Sequence, residues 1–216
     1  MKIDASELME APKWQSRMEL PGILNDLGLL GIGVEIGVQR GIFSSHIRAN
    51  WDGELIHCVD PWAPYSGVLD SAEQHLSYMA DAKMHLASTG KPFKIHQMTA
   101  MEFAKGLPPG TQFDFLFLDG NHDYAPVVEE LEVFWPLVKP GGILAGHDYQ
   151  PINGWIVDER PFEAYETEAE ALKNGHHCGP FHVKRAVDEF FGNMTSITSP
   201  DEDRGWMSWA VRKALK

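Results

Sequence analysis

Between about Gly33 and Asp148, short apolar runs alternate with stretches whose apolar residues recur at helical spacing. The order is "IGVEIG" then "IFSSHIRANW", "ELIHCVD" then "LDSAEQHLSYMADAKMHLAS", "FKIHQM" then "AMEFAKGL", and "DFLFLD" then "APVVEELEVFWPLV". A fifth run, "ILAGHD", follows the turn-like "KPGG". This rhythm predicts an α/β fold, a doubly wound and mostly parallel sheet with helices on both faces. Few other architectures accept it.

The flanks are less regular. Residues 1–32 read as an N-terminal helical segment, with Met18, Leu20, Ile23, Leu24 and Leu27 at helical spacing and a break at Pro21 and Gly22. The long helix after the second strand is amphipathic through Leu76, Met79, Ala80, Lys83 and Met84. Residues 150–180 hold Pro, Gly and an acidic run from Glu163 to Glu170. A long segment of that kind inside a compact domain reads as a lid insertion. "HVKRAVDEFFG" is a helix with Val183, Ala186, Val187 and Phe190 on one side. "TSITS" and "MSWAVRK" then read as closing strands joined by "PDEDRG". The 216 residues suit one domain, 1–216.

Charge and cysteine content narrow the classes of function. Eighteen Lys and Arg face 31 Asp and Glu, so the chain carries net charge −13 and would repel phosphate backbones. Without a basic run, no nucleic-acid partner is expected. Cys58 lies in a buried-looking strand and reads as a core thiol. Cys178 is far from it, so neither a disulfide framework nor a zinc finger is suggested. The N-terminus does not read as a secretory signal, and no apolar stretch reaches the ~18 residues that span a bilayer. The expectation is a cytoplasmic protein with no membrane partner.

Two places concentrate chemistry at strand ends. After the first strand, "VEIGVQRGIFS" sets Glu35, Gly37 and Gly41 between strand and helix. Glycine lets the backbone approach a ligand, and open α/β sheets bind ligands outside the carboxyl ends of their strands. The spacing is not the G-x-G-x-x-G of dinucleotide binders, which favours a cofactor with no pyrophosphate. Asp60 ends the second strand, where a carboxylate can hydrogen-bond both hydroxyls of a ribose. Trp62 follows it and is the aromatic chosen as a cofactor flank. Phe43, Tyr65, Tyr124 and Tyr149 gather around the same strand ends.

The second place is "FLFLDGNHDYAP". A plain turn does not need Asp119, Asn121, His122, Asp123 and Tyr124 together. Asp148 ends the fifth strand, and in a doubly wound sheet the fourth and fifth strands are neighbours, with the fourth beside the first. Asp119 and Asp148 should therefore emerge side by side. Paired carboxylates repel unless a cation lies between them, and a hard divalent ion such as Mg²⁺ suits oxygen ligands. His122 is close enough to act as general base on the same substrate oxygen. His147 is either a further ligand or an interior residue bonded to a backbone carbonyl.

Together "VEIGVQRG", "CVDPW", "FLFLDGNHDY" and "LVKPGGILAGHDY" resemble the class I S-adenosylmethionine-dependent methyltransferases. The likeness is to a small-molecule branch similar to macrocin-type sugar O-methyltransferases, and more distantly to catechol O-methyltransferase. It covers about residues 20–149 and resumes at "HVKRAVDEFF" and "SWAVRK". The resemblance implies a seven-stranded Rossmann-like sheet with one antiparallel strand near its edge. It implies that Glu35, Gly37 and Gly41 form the cofactor loop, that Asp60 binds ribose, and that Met98, Thr99 and Ala100 lie beside adenine. It further implies Asp119 and Asp148 as metal ligands and His122 as base, giving O-methylation of a small-molecule hydroxyl. In a metal-independent alternative, Asp119 only positions the cofactor's amino end. A non-catalytic S-adenosylmethionine-binding protein and a nicotinamide oxidoreductase are the other rivals. The acceptor is unspecified, and a homo-oligomer stays open because the N-terminal segment can pack on either its own domain or a second copy.

Overall fold

The computed structural model describes residues 2–64, 71–149, 180–192, 195–200 and 206–215. Of the expected lid over 150–180, residues 150–179 with the acidic run lie outside these, as do Tyr65 and Cys178. The strands are β1 (Leu8–Met9), β2 (Ile32–Ile36), β3 (Leu55–Asp60), β4 (Phe93–Gln97), β5 (Phe113–Leu118), β6 (Val138–Gly146), β7 (Ser196–Ile197) and β8 (Trp209–Lys213). The helices are α1 (Leu20–Asp26), α2 (Ile42–Asn50), α3 (Ala72–Ser88), α4 (Ala100–Lys105), α5 (Tyr124–Phe134) and α6 (Pro180–Phe191).

The sheet runs β1-β8-β6-β5-β2-β3-β4, with β7 also paired to β8. The five strands β4, β3, β2, β5 and β6 are mutually parallel, while β8 lies antiparallel to β6. The order reverses between β2 and β5, so their carboxyl ends face one crevice. All six residues of β5 are buried, which is why its sequence is a solid apolar run apart from Asp114. That one acid is satisfied by the Lys139 ammonium at 2.6 Å and the Ile32 amide at 2.8 Å.

Two apolar layers cover the sheet. One packs Phe103 of α4, Val127, Leu131 and Phe134 of α5, and Val183, Val187 and Phe190 of α6. The other packs Leu20 and Leu24 of α1, Phe43 and Ile47 of α2, and Tyr78, Ala82 and Leu86 of α3. Capping boxes at Ser71 with Gln74 and at Thr99 with Glu102 start α3 and α4. Each such cap is worth about 1 kcal/mol.

The expected mostly parallel sheet is present, and among the described residues Leu8–Met9 adds an eighth strand by pairing antiparallel with the edge of β8. Three expectations need correction. "KPGG" is no turn before β6. It lies within that strand, where the pairing shifts register between Phe113 and Phe115. Pro21 and Gly22 sit in the first turn of α1, preceded by a 3₁₀ turn at Arg17–Glu19, because proline suits that place. Finally, α3 buries His75, Tyr78, Ala82 and Leu86, while Leu76 and Met84 are 53% and 60% exposed. The buried stripe carries a histidine and an alanine, so counting apolar residues selected the wrong face.

Candidate active site

The first half of the site is made of backbone. Gly37 and Gly41 have φ of 85° and 70°, in the region that favours glycine. A Cβ on Gly37 would lie 1.9 Å from the Asp119 carbonyl oxygen, and one on Gly41 would lie 2.8 Å from the Ala82 Cα. The loop can therefore pass between the end of β5 and helix α3 only as glycine. In this half, two residues hold positive φ without being glycine, Gln39 at 47° and Trp62 at 43°. They are locked to each other. Asp60 accepts hydrogen bonds from the Gln39 amide at 2.9 Å and the Trp62 amide at 2.7 Å. The Trp62 indole N–H donates to the Gln39 carbonyl at 2.8 Å. Closed networks of this kind hold strained conformations in place.

Trp62 was expected to flank a cofactor. Its ring is buried and packs into the core beside α2 and α3. What the structure shows for it is a brace under the loop. Glu35 is buried and bonded to the Ser44 hydroxyl. Burial, with Asp119 and Asp60 nearby, raises its carboxyl to about 8. Burial also raises Asp60, against the hydrogen bonds it accepts. On the adjoining strand, Gln97 pairs with Asp60 in register, so Met98, Thr99 and Ala100 follow beside the carboxylate. The Thr99 side chain is engaged in capping α4.

The second half is made of charge. Asp119 follows β5, and Asp148 lies two residues past β6. His122 Nε2 is 2.7 Å from Asp148 Oδ2 and 3.8 Å from Asp119 Oδ1. His147 Nδ1 is 3.3 Å from Asp148 Oδ1 and 3.8 Å from Asp119 Oδ1. So His147 faces the acids. Asp148 is 1% exposed and has φ of 57°. Among the described residues, its Oδ1 and the His122 Nε2 are both buried without a hydrogen bond that meets strict angular limits. The 2.7 Å approach is a charge-assisted contact between carboxylate and imidazole.

Titration follows from this crowding. Burial opposes a charge on His122, but Asp119 and Asp148 outweigh it and raise the imidazole to about 10. Burial likewise opposes charge on His147, and the same acids raise it. Burial would raise Asp148, yet the two histidines hold it well below the usual carboxylate range. Asn121 is a turn residue whose Oδ1 accepts from the Asp123 amide at 2.8 Å.

Among the described residues, Asp119, His122 and Asp148 form a group with ligand atoms all within 4.8 Å of one another. Their donor set, and the carboxylate oxygen left without a hydrogen bond, fit a divalent cation. Sequence reasoning missed two participants. Arg17 reaches Asp119 Oδ2 at 3.4 Å while lying over the Phe43 ring at 5.1 Å. Nothing in "SRMEL" signals this, because the contact spans a separation of 102 residues. Glu130 of α5 is buried near His122 and raised by burial to about 8. An acid on the apolar side of a helix was its only signal. Among the described residues no helix is long and apolar enough to cross a membrane.

Comparison with known proteins agrees with this geometry. The O-methyltransferase TomG of Streptomyces achromogenes, solved with S-adenosylmethionine, superposes with TM-score 0.58 at 16% identity, over 93% of this chain and 80% of that one. A caffeoyl-CoA O-methyltransferase assignment from Staphylococcus aureus gives TM-score 0.60 at 13% identity, over 95% and 86%. An O-methyltransferase of Bacillus cereus gives 0.58 at 14%, over 92% and 80%. At such identities the likeness is one of fold. An uncharacterized protein of Acanthamoeba polyphaga mimivirus is 41% identical over 44 residues, which is 20% of this chain and about a fifth (19%) of that relative. The profile of a methyltransferase-domain family matches residues 34–149, more than half of the chain and, Arg17 apart, the strand-end site just described. The chain belongs to that methyltransferase-domain family and shares its fold with the solved O-methyltransferases.

Proposed function

We propose that the protein methylates a hydroxyl oxygen of a small molecule, with a divalent metal at the second half of the site. The observation that carries this reading is the convergence of Asp119, His122 and Asp148 beside the β2 glycine loop. The solved O-methyltransferases of like fold support it. On this reading Glu35, Gly37 and Gly41 shape the cofactor loop, Asp60 binds the ribose hydroxyls, and Thr99 and Ala100 lie beside adenine. Asp119 and Asp148 hold the metal. A bound divalent ion lowers the pKa of a hydroxyl it contacts, which eases deprotonation near neutral pH.

The bond changes balance without an added reactant. The acceptor oxygen attacks the sulfonium methyl, an O–CH₃ bond forms, and the S–CH₃ bond breaks to leave S-adenosylhomocysteine. The hydroxyl proton passes to His122. That role needs a neutral imidazole, whereas His122 alone with the two acids stays protonated. Positive charge on the carboxylates would release its proton and leave the ring able to accept. Orienting the two reactants supplies much of the remaining rate.

A metal-independent reading is favoured by one observation. Arg17 and protonated His122 already neutralise the two acids. Chelator decides between the readings: turnover lost in EDTA and restored by Mg²⁺ or Mn²⁺ supports the metal, and turnover indifferent to EDTA rejects it. His122→Ala should lower turnover by about 10²–10⁴ while keeping cofactor affinity. Unchanged turnover in that variant would remove His122 as the base.

A further inference from the structure

Helix α6 carries two adjacent ion pairs of the same design. Lys184 Nζ donates to Asp188 Oδ2, and Arg185 Nε donates to Glu189 Oε1 at 3.0 Å. Each pair holds one tyrosine. The Tyr149 hydroxyl donates to Asp188 Oδ1 at 2.5 Å, with Lys184 Nζ 5.1 Å from the centre of the Tyr149 ring. The Tyr124 hydroxyl donates to Glu189 Oε2, with the Arg185 guanidinium 4.5 Å over the Tyr124 ring. These are the tyrosines that follow the two acidic strand ends. Tyr149 is next to Asp148, and Tyr124 is two residues past His122.

The pairs serve the helix itself only weakly. In both, the cation precedes the acid by four residues, which is the weaker orientation within a helix. Asp188 and Glu189 also lie near the carboxyl end of α6, where the helix dipole disfavours negative charge by about 0.3–1 kcal/mol. The tyrosines supply a reason for that placement. Asp148 needs restraint, because a non-glycine residue at φ 57° holds that conformation only when its neighbours impose it. Before it, the His147 amide donates to the Leu118 carbonyl at 3.1 Å. After it, the Tyr149 amide donates to the Met207 carbonyl at 2.9 Å, and the Tyr149 hydroxyl is tied to α6. The helix is a firm platform, since Val183, Ala186, Val187 and Phe190 are buried in the core.

We propose that Lys184 with Asp188, and Arg185 with Glu189, are positioning residues that hold Tyr149 and Tyr124, and through them fix Asp148 and the Asp119–His122 loop in working geometry. The inference rests on the reading above that these three residues are the working groups. Groups that orient metal ligands from behind typically change metal affinity 10–100-fold when removed.

The test uses the full chain with Tyr149→Phe, Asp188→Ala, their double variant, Tyr124→Phe and Glu189→Ala. Mn²⁺ binding is read by electron paramagnetic resonance of the free ion, S-adenosylhomocysteine binding by calorimetry, and local order by amide hydrogen exchange. Tyr149→Phe and Asp188→Ala should each weaken Mn²⁺ about tenfold, and the double variant little more, since both break one contact. Exchange at His147 and Tyr149 should quicken, with amides of β2 and β3 unchanged and S-adenosylhomocysteine affinity kept within about threefold. Tyr124→Phe and Glu189→Ala should act alike on the loop at 119–124. Unaltered Mn²⁺ affinity together with unaltered exchange overturns the proposal. So does exchange that quickens across the whole sheet, which would mark an ordinary stability contact. If the wild type binds no Mn²⁺, the metal reading fails by itself. Exchange then decides alone, with quickening confined to 147–149 and 119–124 supporting the clasp and its absence overturning it.

Discussion

The two halves of the site meet at the ends of β2 and β5 but are built by different means. The half around Glu35, Gly37 and Asp60 is held by backbone conformation, and its acids are matched by Ser44, Gln39 and Trp62. The half around Asp119, His122 and Asp148 is held by charge, with buried polar atoms that lack aligned partners. A loop whose acids are satisfied by hydrogen bonds is ready for a ligand in the conformation seen. A crowded group of opposite charges sits in close contact, and one more charge shifts the proton affinity of its histidines. On the proposed reading, the first half would bind by shape and the second would be switched by a cation.

The largest effect expected should separate the halves outright. Asp148→Asn removes one carboxylate charge and leaves His122 with a weakened partner. Metal affinity measured by calorimetry should fall at least about 100-fold, the upper end of what lost ligand support costs. S-adenosylhomocysteine affinity should stay within about threefold. Joint loss of both ligands would mean that the halves are one unit and the comparison fails.

Next in size is Gly37→Ala, aimed at the loop. The added methyl meets the Asp119 carbonyl and forces a left-handed residue, which together should cost at least about 2 kcal/mol. For a chain of this length that lowers the melting temperature by about 4–8 °C in calorimetry. A variant as stable as wild type would show that the loop can move off β5.

A third effect is a pH dependence to which the charged half contributes through His122. His122 is raised to about 10 in the folded chain, above its ordinary value near 6.5. The folded state thus holds this proton more tightly than the unfolded one. Its contribution is complete below about pH 6.5 and is lost as pH climbs through 10. Metal-free protein should melt progressively lower between pH 7 and 10, and His122→Gln should flatten that slope. An unchanged slope in the variant would place the dependence elsewhere.

What could be read in advance follows the same division. The central strands β2, β5 and β6 were legible because burial on both faces writes them largely as apolar runs, as in Phe115 to Leu118. Gly37 and Asp60 were legible because a loop at a strand end needs particular residues at short spacing. The nearness of Asp119 and Asp148 followed from strand order, and the structure brings them together. Arg17, and the grip of Asp188 and Glu189 on the tyrosines, were not legible. Those contacts join elements 102, 39 and 65 residues apart, and no local pattern encodes them. The buried side of α3 was misread because Ala82 is small to admit the Gly41 loop, a packing demand that hydrophobic spacing does not record.

The central claim is a cofactor half that works without metal beside a charged half that takes one. The direct test is calorimetric titration of S-adenosylhomocysteine in chelator and again in Mg²⁺, with Mg²⁺ titrated separately and NADH as control. The account predicts micromolar S-adenosylhomocysteine binding in both buffers, saturable Mg²⁺ binding that Asp148→Asn removes, and no NADH binding. Absence of S-adenosylhomocysteine binding in both buffers would contradict it.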